Sequence, residues 1–457
     1  MPENLPDTGA VENLPAMRAA EAHLDRIPRF STKKHTLQDL RGMLGLLGAL
    51  PGTQKVIHIA GTNGKGSVSA MLDAILRGAG MSCALFTSPH LVRINERFVF
   101  DGKMCLDRDF LRAFSRVRAM EPEFQRKFGS IPTWFEYLML IFFVLEAEHP
   151  HEWIVLETGL GGRLDATSAI EPPALKLTVI TSISLDHMQY LGTTIPEIAG
   201  EKAGILRKGV PLVFDAANPE AVPVIRKKAA ELGIPAMPVT AGEIQAFSSD
   251  GQKISFRARV CAKDTEIAVP FPAPYQAVNA LLAVRAAEML GIGRAAILRG
   301  IAETRWPGRM EEVLPGIFLD GGHNEDGVRA FARAAALVAG TRHAARKLLI
   351  FDAASDKVFG KMLEEIHDIL APDAVCLTKM HSARALPLEE LRAAAEAVFG
   401  KDQILVIPEA EDAFLRMKEE KGERDLLFAA GSLYLVGELK AVLEKLGGQD
   451  GKEGRAH

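Results

Sequence analysis

Seven consecutive residues, Gly61-Thr62-Asn63-Gly64-Lys65-Gly66-Ser67, combine the types that hold a phosphate. They follow the apolar run Lys55–Ala60 and precede a helical pattern over Val68–Leu76, so they sit where a strand ends and a helix begins. Glycines there let backbone N–H groups turn inward around phosphate oxygens, and the helix N-terminus adds partial positive charge. In such a loop Lys65 reaches the outer phosphates and the Ser67 hydroxyl faces Mg²⁺. The spacing departs from the common G-x-x-x-x-G-K-[ST] pattern, because Gly64 follows Gly61 too soon and Gly66 stands between Lys65 and Ser67. A plain strand-to-helix turn carrying a solvated lysine is the competing explanation.

Four further clusters follow apolar runs or close helices. Glu157 ends the run Ile154–Leu156 and is followed by Gly159-Leu160-Gly161-Gly162. Ligands of open α/β sheets gather at the carboxyl ends of strands, and a carboxylate there suits Mg²⁺, which wants oxygen ligands. Asp186-His187 follows the apolar run Val179–Ile183, where His187 is a candidate metal ligand or phosphate-positioning group. Lys202 lies late in the helical stretch Ile195–Leu206; taken alone, a solvated helix face accounts for it. Asp320-Gly321-Gly322-His323-Asn324 ends another apolar run and opens a helix, a geometry suited to phosphate or ribose contacts.

The elements that must carry these residues alternate. Strands are expected at Lys55–Ala60, Cys83–Phe86, Glu152–Leu156, Lys176–Ile183 and Val210–Phe214, with helices between them such as Arg108–Arg118. This predicts an α/β fold: a P-loop nucleotide-binding domain with a mostly parallel sheet. Residues 248–269 alternate apolar and polar, as in an antiparallel ribbon, and a helix follows over Ala277–Leu290. Glu303–Glu312 has Trp, Pro and Gly with little periodicity and reads as a linker. The alternation then restarts, with strands at Ile317–Asp320, Lys347–Phe351, Ala374–Leu377 and Asp425–Ala429, predicting a smaller C-terminal α/β, Rossmann-like domain. The expected organisation is a nucleotide-binding domain over 1–302, a linker over 303–312, a second α/β domain over 313–446 and a flexible tail over 447–457.

Composition narrows the partners. The 457 residues carry 54 Lys+Arg against 58 Asp+Glu, so the chain has no general electrostatic reason to bind nucleic acid or an anionic membrane. The four cysteines form no CxxC pair, which fits a reducing cytoplasm rather than a disulfide framework. The N-terminal residues are acidic and proline-containing, unlike a secretory signal. The longest apolar run, Leu138–Leu145, is far short of the roughly 20 residues of a bilayer span. A monomer acting on small molecules is expected.

Taken together the motifs resemble the Mur ligase superfamily, and within it the folylpolyglutamate synthase and dihydrofolate synthase family. The resemblance runs from about Leu24 to Gly437. It rests on HIAGTNGKGSV (58–68), TSPHLVRINERF (87–98), WFEYL (134–138), LETGLGGRLDAT (156–167), SLDHMQYLGTTIPEIAGEKAGI (184–205), RWPGRME (305–311), LDGGHN (319–324) and GSLYLVGELK (431–440). The GKGS form and the TSPHL block favour the folate branch over the peptidoglycan branches.

The resemblance implies an ATP-dependent ligase that joins L-glutamate to the γ-carboxylate of a folate through an acyl phosphate, and leaves open whether dihydropteroate is a second acceptor. It implies that Gly61–Ser67 cradle ATP and that Asn279, Arg309, Asp320 and His323 contact the nucleotide. Ser67, Ser88, Glu157 and His187 are the implied Mg²⁺ set. Lys65, His187 and Lys202 are the implied catalytic residues, with Lys202 carbamylated by CO₂. Thr133, Trp134, Phe135, Glu136, Leu164, Asp165 and Ala166 match segments that contact the pterin-bearing substrate. The chain departs from the family at Ser168, where asparagine is usual, at Gly322, at Val358 and at Ala273-Pro274, none of them a charged ligand. The competing functions are another Mur-type amino-acid ligase acting on a nucleotide-linked substrate, a P-loop NTPase of another class, and a non-catalytic ATP-binding protein.

Overall fold

The computed structural model of the chain describes residues 14–29, 35–382 and 384–453, the last seven of these by backbone alone. The N-terminal 1–13 and the end of the expected tail, 454–457, lie outside the described residues. The chain folds as two compact units. One holds the described residues up to Pro89, with Asn95–Ile183 and His187–Pro238. The other holds His90–Ile94, Ser184–Asp186 and the described residues from Val239 onward.

The first unit is built on strands β1 (Lys55–Ala60), β2 (Cys83–Phe86), β3 (Phe98–Phe100), β4 (Lys103–Met104), β5 (Trp153–Glu157), β6 (Leu175–Ile180), β7 (Leu212–Asp215) and β8 (Ala236–Val239). They lie in the order β4-β3-β2-β5-β1-β6-β7-β8. β2, β5, β1, β6 and β7 run parallel, and β3 and β4 add an antiparallel edge. β1 and β5 are almost wholly buried, as expected of parallel strands covered on both faces. The apolar run Leu138–Leu145 lies in the helix Trp134–Glu148, where Tyr137–Glu146 are all buried. A helix apolar on every side belongs inside a core, and Phe142 packs on Phe86 there, ring centroids 5.2 Å apart.

The second unit holds two sheets. The expected antiparallel ribbon has three strands: β9 (Gln245–Ser249), β10 (Ile254–Val260) and β11 (Lys263–Val269) in the order β11-β10-β9. The other strands are β12 (Glu311–Leu314), β13 (Ile317–Leu319), β14 (Lys347–Phe351), β15 (Ala374–Lys379), β16 (Ile404–Glu409) and β17 (Leu426–Ala430). Their order is β12-β13-β17-β14-β15-β16, all parallel except β12. Alternate residues serve opposite faces: Leu349, Phe351 and Phe428 join one core, Leu348, Ile350 and Leu427 the other.

Three boundaries differ from the sequence expectation. The compact units divide near Val239, ahead of the expected boundary at 302, and the second unit also holds the ribbon and the helices Tyr275–Met289 and Arg294–Glu303. One tie is Arg342, which donates to the Gly251 carbonyl at 2.6 Å and to Glu312 at 2.6 Å. Within the expected linker, Glu311–Glu312 already form the start of β12. The last helix, Leu433–Glu453, continues through the start of the expected tail. Among the described residues no helix is long and apolar enough to cross a membrane.

Candidate active site

The glycine loop leaves β1 at the carboxyl edge of the parallel sheet. Gly61 has φ +154°, and a Cβ there would lie 1.7 Å from Thr181 Oγ1, so only glycine fits. Gly64, at φ +87°, caps the helix Lys65–Gly78. The loop is pinned to the residues that follow β6. Thr62 N–H donates to the Ser182 carbonyl at 2.7 Å, and the Thr181 and Ser182 hydroxyls donate to the Asn63 carbonyl at 2.7 and 3.2 Å. Lys65 Nζ folds back on the Gly61 and Thr62 carbonyls, 3.1 Å from each, and Ser67 is buried in the first helical turn. The expected phosphate loop is therefore a βα turn hydrogen-bonded to the residues after β6.

Glu157 ends β5, one strand away, opposite Ile59 of β1 in register. Its carboxylate is buried and accepts the Ser88 N–H at 3.2 Å, which joins two of the expected metal-site residues. His187 follows β6 at φ +50°, half-buried, and its carbonyl accepts the N–H groups of Tyr190 and Leu191, opening the turn Met188–Leu191. Among the described residues no group of three or more His, Cys, Asp and Glu could hold a metal. The expected set has only two such residues, with serine hydroxyls beside them. A buried carboxylate one strand from the glycine loop, taken with the serine hydroxyls of the expected set, offers the oxygen donors that suit Mg²⁺, which takes one or two carboxylates and completes its shell with water and substrate phosphates.

Lys202 is not on a solvated face. It is 4% exposed, and its Nζ donates to the Gly61 carbonyl at 2.6 Å. The loop after Glu157 packs on its backbone: a Cβ on Gly162 would lie 2.9 Å from the Lys202 carbonyl oxygen, and Arg163 N–H donates to the Glu201 carbonyl at 2.8 Å.

The expected substrate segments meet that same loop. A Cβ on Gly159 would strike the Phe135 ring at 2.6 Å, so the ring lies flush on the glycine. Asp165 faces inward and receives the N–H groups of Gly159, Leu160 and Thr167 at 2.9, 2.8 and 3.0 Å. Burial pushes its carboxyl up, and these donors oppose the shift. It shapes the loop. Leu164 beside it is exposed, and Ala166 is buried. Thr133 caps the helix Trp134–Glu148, and Glu136 closes the capping box by accepting Thr133 N–H at 2.7 Å. Glu136 also holds His35 at 2.9 Å, and this hydrogen bond raises the His35 pKa. Glu136 is thus committed to the local frame.

The remaining expected nucleotide residues, Asn279, Arg309, Asp320 and His323, belong to the second unit. Asp320 directly follows β13, buried, and accepts Tyr275 Oη–H at 2.8 Å, Met310 N–H at 2.9 Å and Gly322 N–H at 2.8 Å. Burial pushes its carboxyl up, against the pull of Arg309. Gly321 leaves room for Arg309, whose Nη1 would lie 2.4 Å from a Cβ there. Asn279 sits one helical turn beyond Tyr275 and donates to Gln276 at 2.9 Å. His323 Nδ1 lies 2.9 Å from the Gly321 carbonyl, and its packed surroundings lower its pKa to about 4. Asp186, grouped with this unit, accepts from Asn324 at 2.9 Å and pairs with buried Lys357.

Thr181, Ser182, Tyr275 and Lys357 were not singled out by the sequence. The first two were detectable as polar residues directly after the apolar β6 run. Tyr275 and Lys357 are recognised only through their partners, Asp320 and Asp186, which are distant in sequence.

The Mur ligase middle domain matches residues 59–287, and the Mur ligase glutamate ligase domain matches 308–433. A dihydrofolate synthase/folylpolyglutamate synthase of Bacillus subtilis is 33% identical over 90% of this chain and 95% of its own. The Mycobacterium tuberculosis folylpolyglutamate synthase complexed with ADP superposes with a TM-score of 0.84, at 26% identity, over 94% of this chain and 99% of that one. The bifunctional folylpolyglutamate synthase/dihydrofolate synthase of Yersinia pestis, complexed with AMPPNP and Mn ion, gives 0.78 at 25% identity, over 94% and 98%. The chain belongs to the folylpolyglutamate synthase/dihydrofolate synthase family of Mur ligases.

Proposed function

We propose that the chain is an ATP-dependent ligase that adds L-glutamate to the γ-carboxylate of a reduced folate. The observation that carries this reading is the shared anchorage of Lys65 and Lys202 on the Gly61 carbonyl, at 3.1 and 2.6 Å, one strand from Glu157. An ordinary P-loop turn has no use for the second, buried lysine.

A carboxylate does not form an amide with an amine in water, because oxide is a poor leaving group. In the proposed reaction a carboxylate oxygen attacks the γ-phosphorus of ATP, the bond to the β-phosphate oxygen breaks, and ADP leaves an acyl phosphate. The glutamate nitrogen then attacks the acyl carbon, loses a proton, and the C–O bond to phosphate breaks. Positioning and charge neutralisation govern such a transfer. Lys65 and the loop N–H groups hold the outer phosphates. Glu157, Ser67 and Ser88, with His187, would hold Mg²⁺, which when bound offsets phosphate charge. Carbamylation of Lys202 would exchange a cation for an oxygen-rich anion beside these groups.

The proposed setting is the cytoplasm and the working form a monomer. The free cysteines Cys83, Cys105, Cys261 and Cys376, three of them buried, fit a reducing compartment. Incubation with labelled glutamate, ATP·Mg²⁺ and tetrahydrofolate tests the activity. Label should enter a folate product only with ATP present, and label confined to free glutamate would refute the proposal.

A further inference from the structure

The central strand β1 reads Lys-Val-Ile-His-Ile-Ala, and His58 is the polar exception in its buried run, 1% exposed. An imidazole there costs desolvation that an aliphatic side chain would not, unless its ring nitrogen is hydrogen-bonded. His58 Nε2 lies 2.7 Å from Thr167 Oγ1. Thr167 is wholly buried and serves Asp165 twice: its hydroxyl donates to Asp165 Oδ1 at 2.5 Å, and its N–H donates to the same oxygen at 3.0 Å. Asp165 Oδ2 takes the N–H groups of Gly159 and Leu160 at 2.9 and 2.8 Å.

The direction of each bond follows from the protons at hand. A carboxylate offers about four acceptor positions, and these donors fill those of Asp165. The Thr167 hydroxyl has a single proton, which Asp165 takes. The hydroxyl then accepts from His58, so the imidazole proton sits on Nε2. Burial lowers the His58 pKa to about 3, with Arg207 adding to the effect, so the ring is neutral and holds that one proton. The relay runs from the imidazole through one hydroxyl to a buried carboxylate, and each donation polarises the next group.

That carboxylate gathers the loop that follows Glu157. Phe135 lies on Gly159, and Leu164 is exposed at the loop's far end. Ser168, next after Thr167, closes the same loop by donating to the Gly162 carbonyl at 2.5 Å. The phosphate loop at the end of β1 is held by a different set, Thr181, Ser182 and Lys202. A fault in the relay therefore reaches the acceptor side before the nucleotide side.

We propose that His58 is a positioning residue for the acceptor: through Thr167 it fixes Asp165, and with it the loop Gly159–Asp165, in the form that receives the pterin-bearing substrate. This inference rests on the proposed function and adds to it a residue acting from inside the sheet.

Steady-state kinetics of Thr167→Val, which removes the hydroxyl and nearly keeps the volume, tests it. Loss of one hydrogen bond to a buried carboxylate should raise the KM for tetrahydrofolate about tenfold or more. The kcat and the KM for ATP should stay within about twofold of wild type, the pattern of lost acceptor binding alone. Thr167→Ser, which keeps the hydroxyl, should keep the wild-type KM. His58→Leu should match Thr167→Val, and the double variant should be no worse than either, because both break one relay. His58→Gln, which retains a side-chain N–H, should lie between wild type and His58→Leu. An unchanged acceptor KM in Thr167→Val overturns the proposal. Loss of kcat and of ATP affinity in parallel with the acceptor KM also overturns it, and makes the relay plain support of the sheet. Additive effects of His58→Leu and Thr167→Val overturn it as well. Wild-type turnover of tetrahydrofolate reports on the proposed function by itself: an active wild type with an unchanged Thr167→Val rejects this inference alone.

Discussion

Lys202 Nζ donates to the main-chain oxygen of Gly61 at 2.6 Å, across 141 positions of sequence. This bond ties the helix Ile195–Ala203 to the first residue of the phosphate loop. It explains why a lysine is buried there, and it places the nitrogen beside the loop that the sequence marks for ATP.

If Lys202 is carbamylated, Lys202→Ala should cost at least about a hundredfold in ligation, the size typical of removing one preorganised charge from such a site. Short carboxylic acids should restore part of the rate by supplying the missing anion. A readout independent of turnover is available: ¹³C-bicarbonate should give a carbamate resonance in the wild type and none in the variant. Full activity of the variant without added acid would rule out the carbamate role.

Lys65→Ala should abolish ATP turnover while leaving the fold intact, because the Lys65 ammonium meets only the loop's own carbonyls. The melting temperature should stay close to that of wild type. A variant with near-normal amide formation would remove Lys65 from the site.

Gly61→Ala should be damaging for a different reason. Its Cβ would overlap Thr181 Oγ1, and the φ of +154° is one that L residues avoid. Nucleotide affinity should fall together with stability, by about 1–3 kcal/mol for the strained backbone alone. Calorimetry showing wild-type stability and nucleotide affinity would contradict the packing described here.

Much of this was legible in the sequence. β1, β2 and β14 end where their apolar runs end, because buried parallel strands are nearly continuous in Val, Ile and Leu. The short edge strands β3, β4 and β12 were missed, since runs of two to four residues carry no periodicity. The chemistry-bearing residues stood out by motif, but their partners did not. Lys202 looked like a surface lysine until the family resemblance marked it, and its burial depends on Gly61 and Gly162, which no local pattern connects to it. Asp165 and Glu136 are expected to contact substrate; the partners that hold their carboxylates within the chain, the N–H groups of Gly159, Leu160 and Thr167 for Asp165 and Thr133 N–H with His35 for Glu136, are visible only in three dimensions.

Asp352, at the end of β14, offers a pH test. It is wholly buried, and burial pushes its carboxyl up to about 7, with a smaller push from Glu438 against the pull of the Ala353 and Met380 N–H groups. The folded chain keeps this proton where an unfolded chain, with a carboxyl near about 3.9, has lost it. Stability from this group is therefore full at low pH and is lost as pH rises toward about 7. Asp352→Asn should flatten that part of the stability profile between about pH 4 and about pH 7. Melting curves that fall equally in both proteins would show that Asp352 does not titrate there.

The central claim is a ligation that needs a pterin carboxylate, glutamate and ATP together. The most direct measurement is ADP release from ATP·Mg²⁺ with L-glutamate, comparing tetrahydrofolate with dihydropteroate as acceptor. The account predicts release with tetrahydrofolate that disappears when either glutamate or acceptor is omitted; release with dihydropteroate as well would make the enzyme bifunctional. No release with either acceptor, in a protein that still binds ATP, would contradict the account and point to another Mur-type ligase.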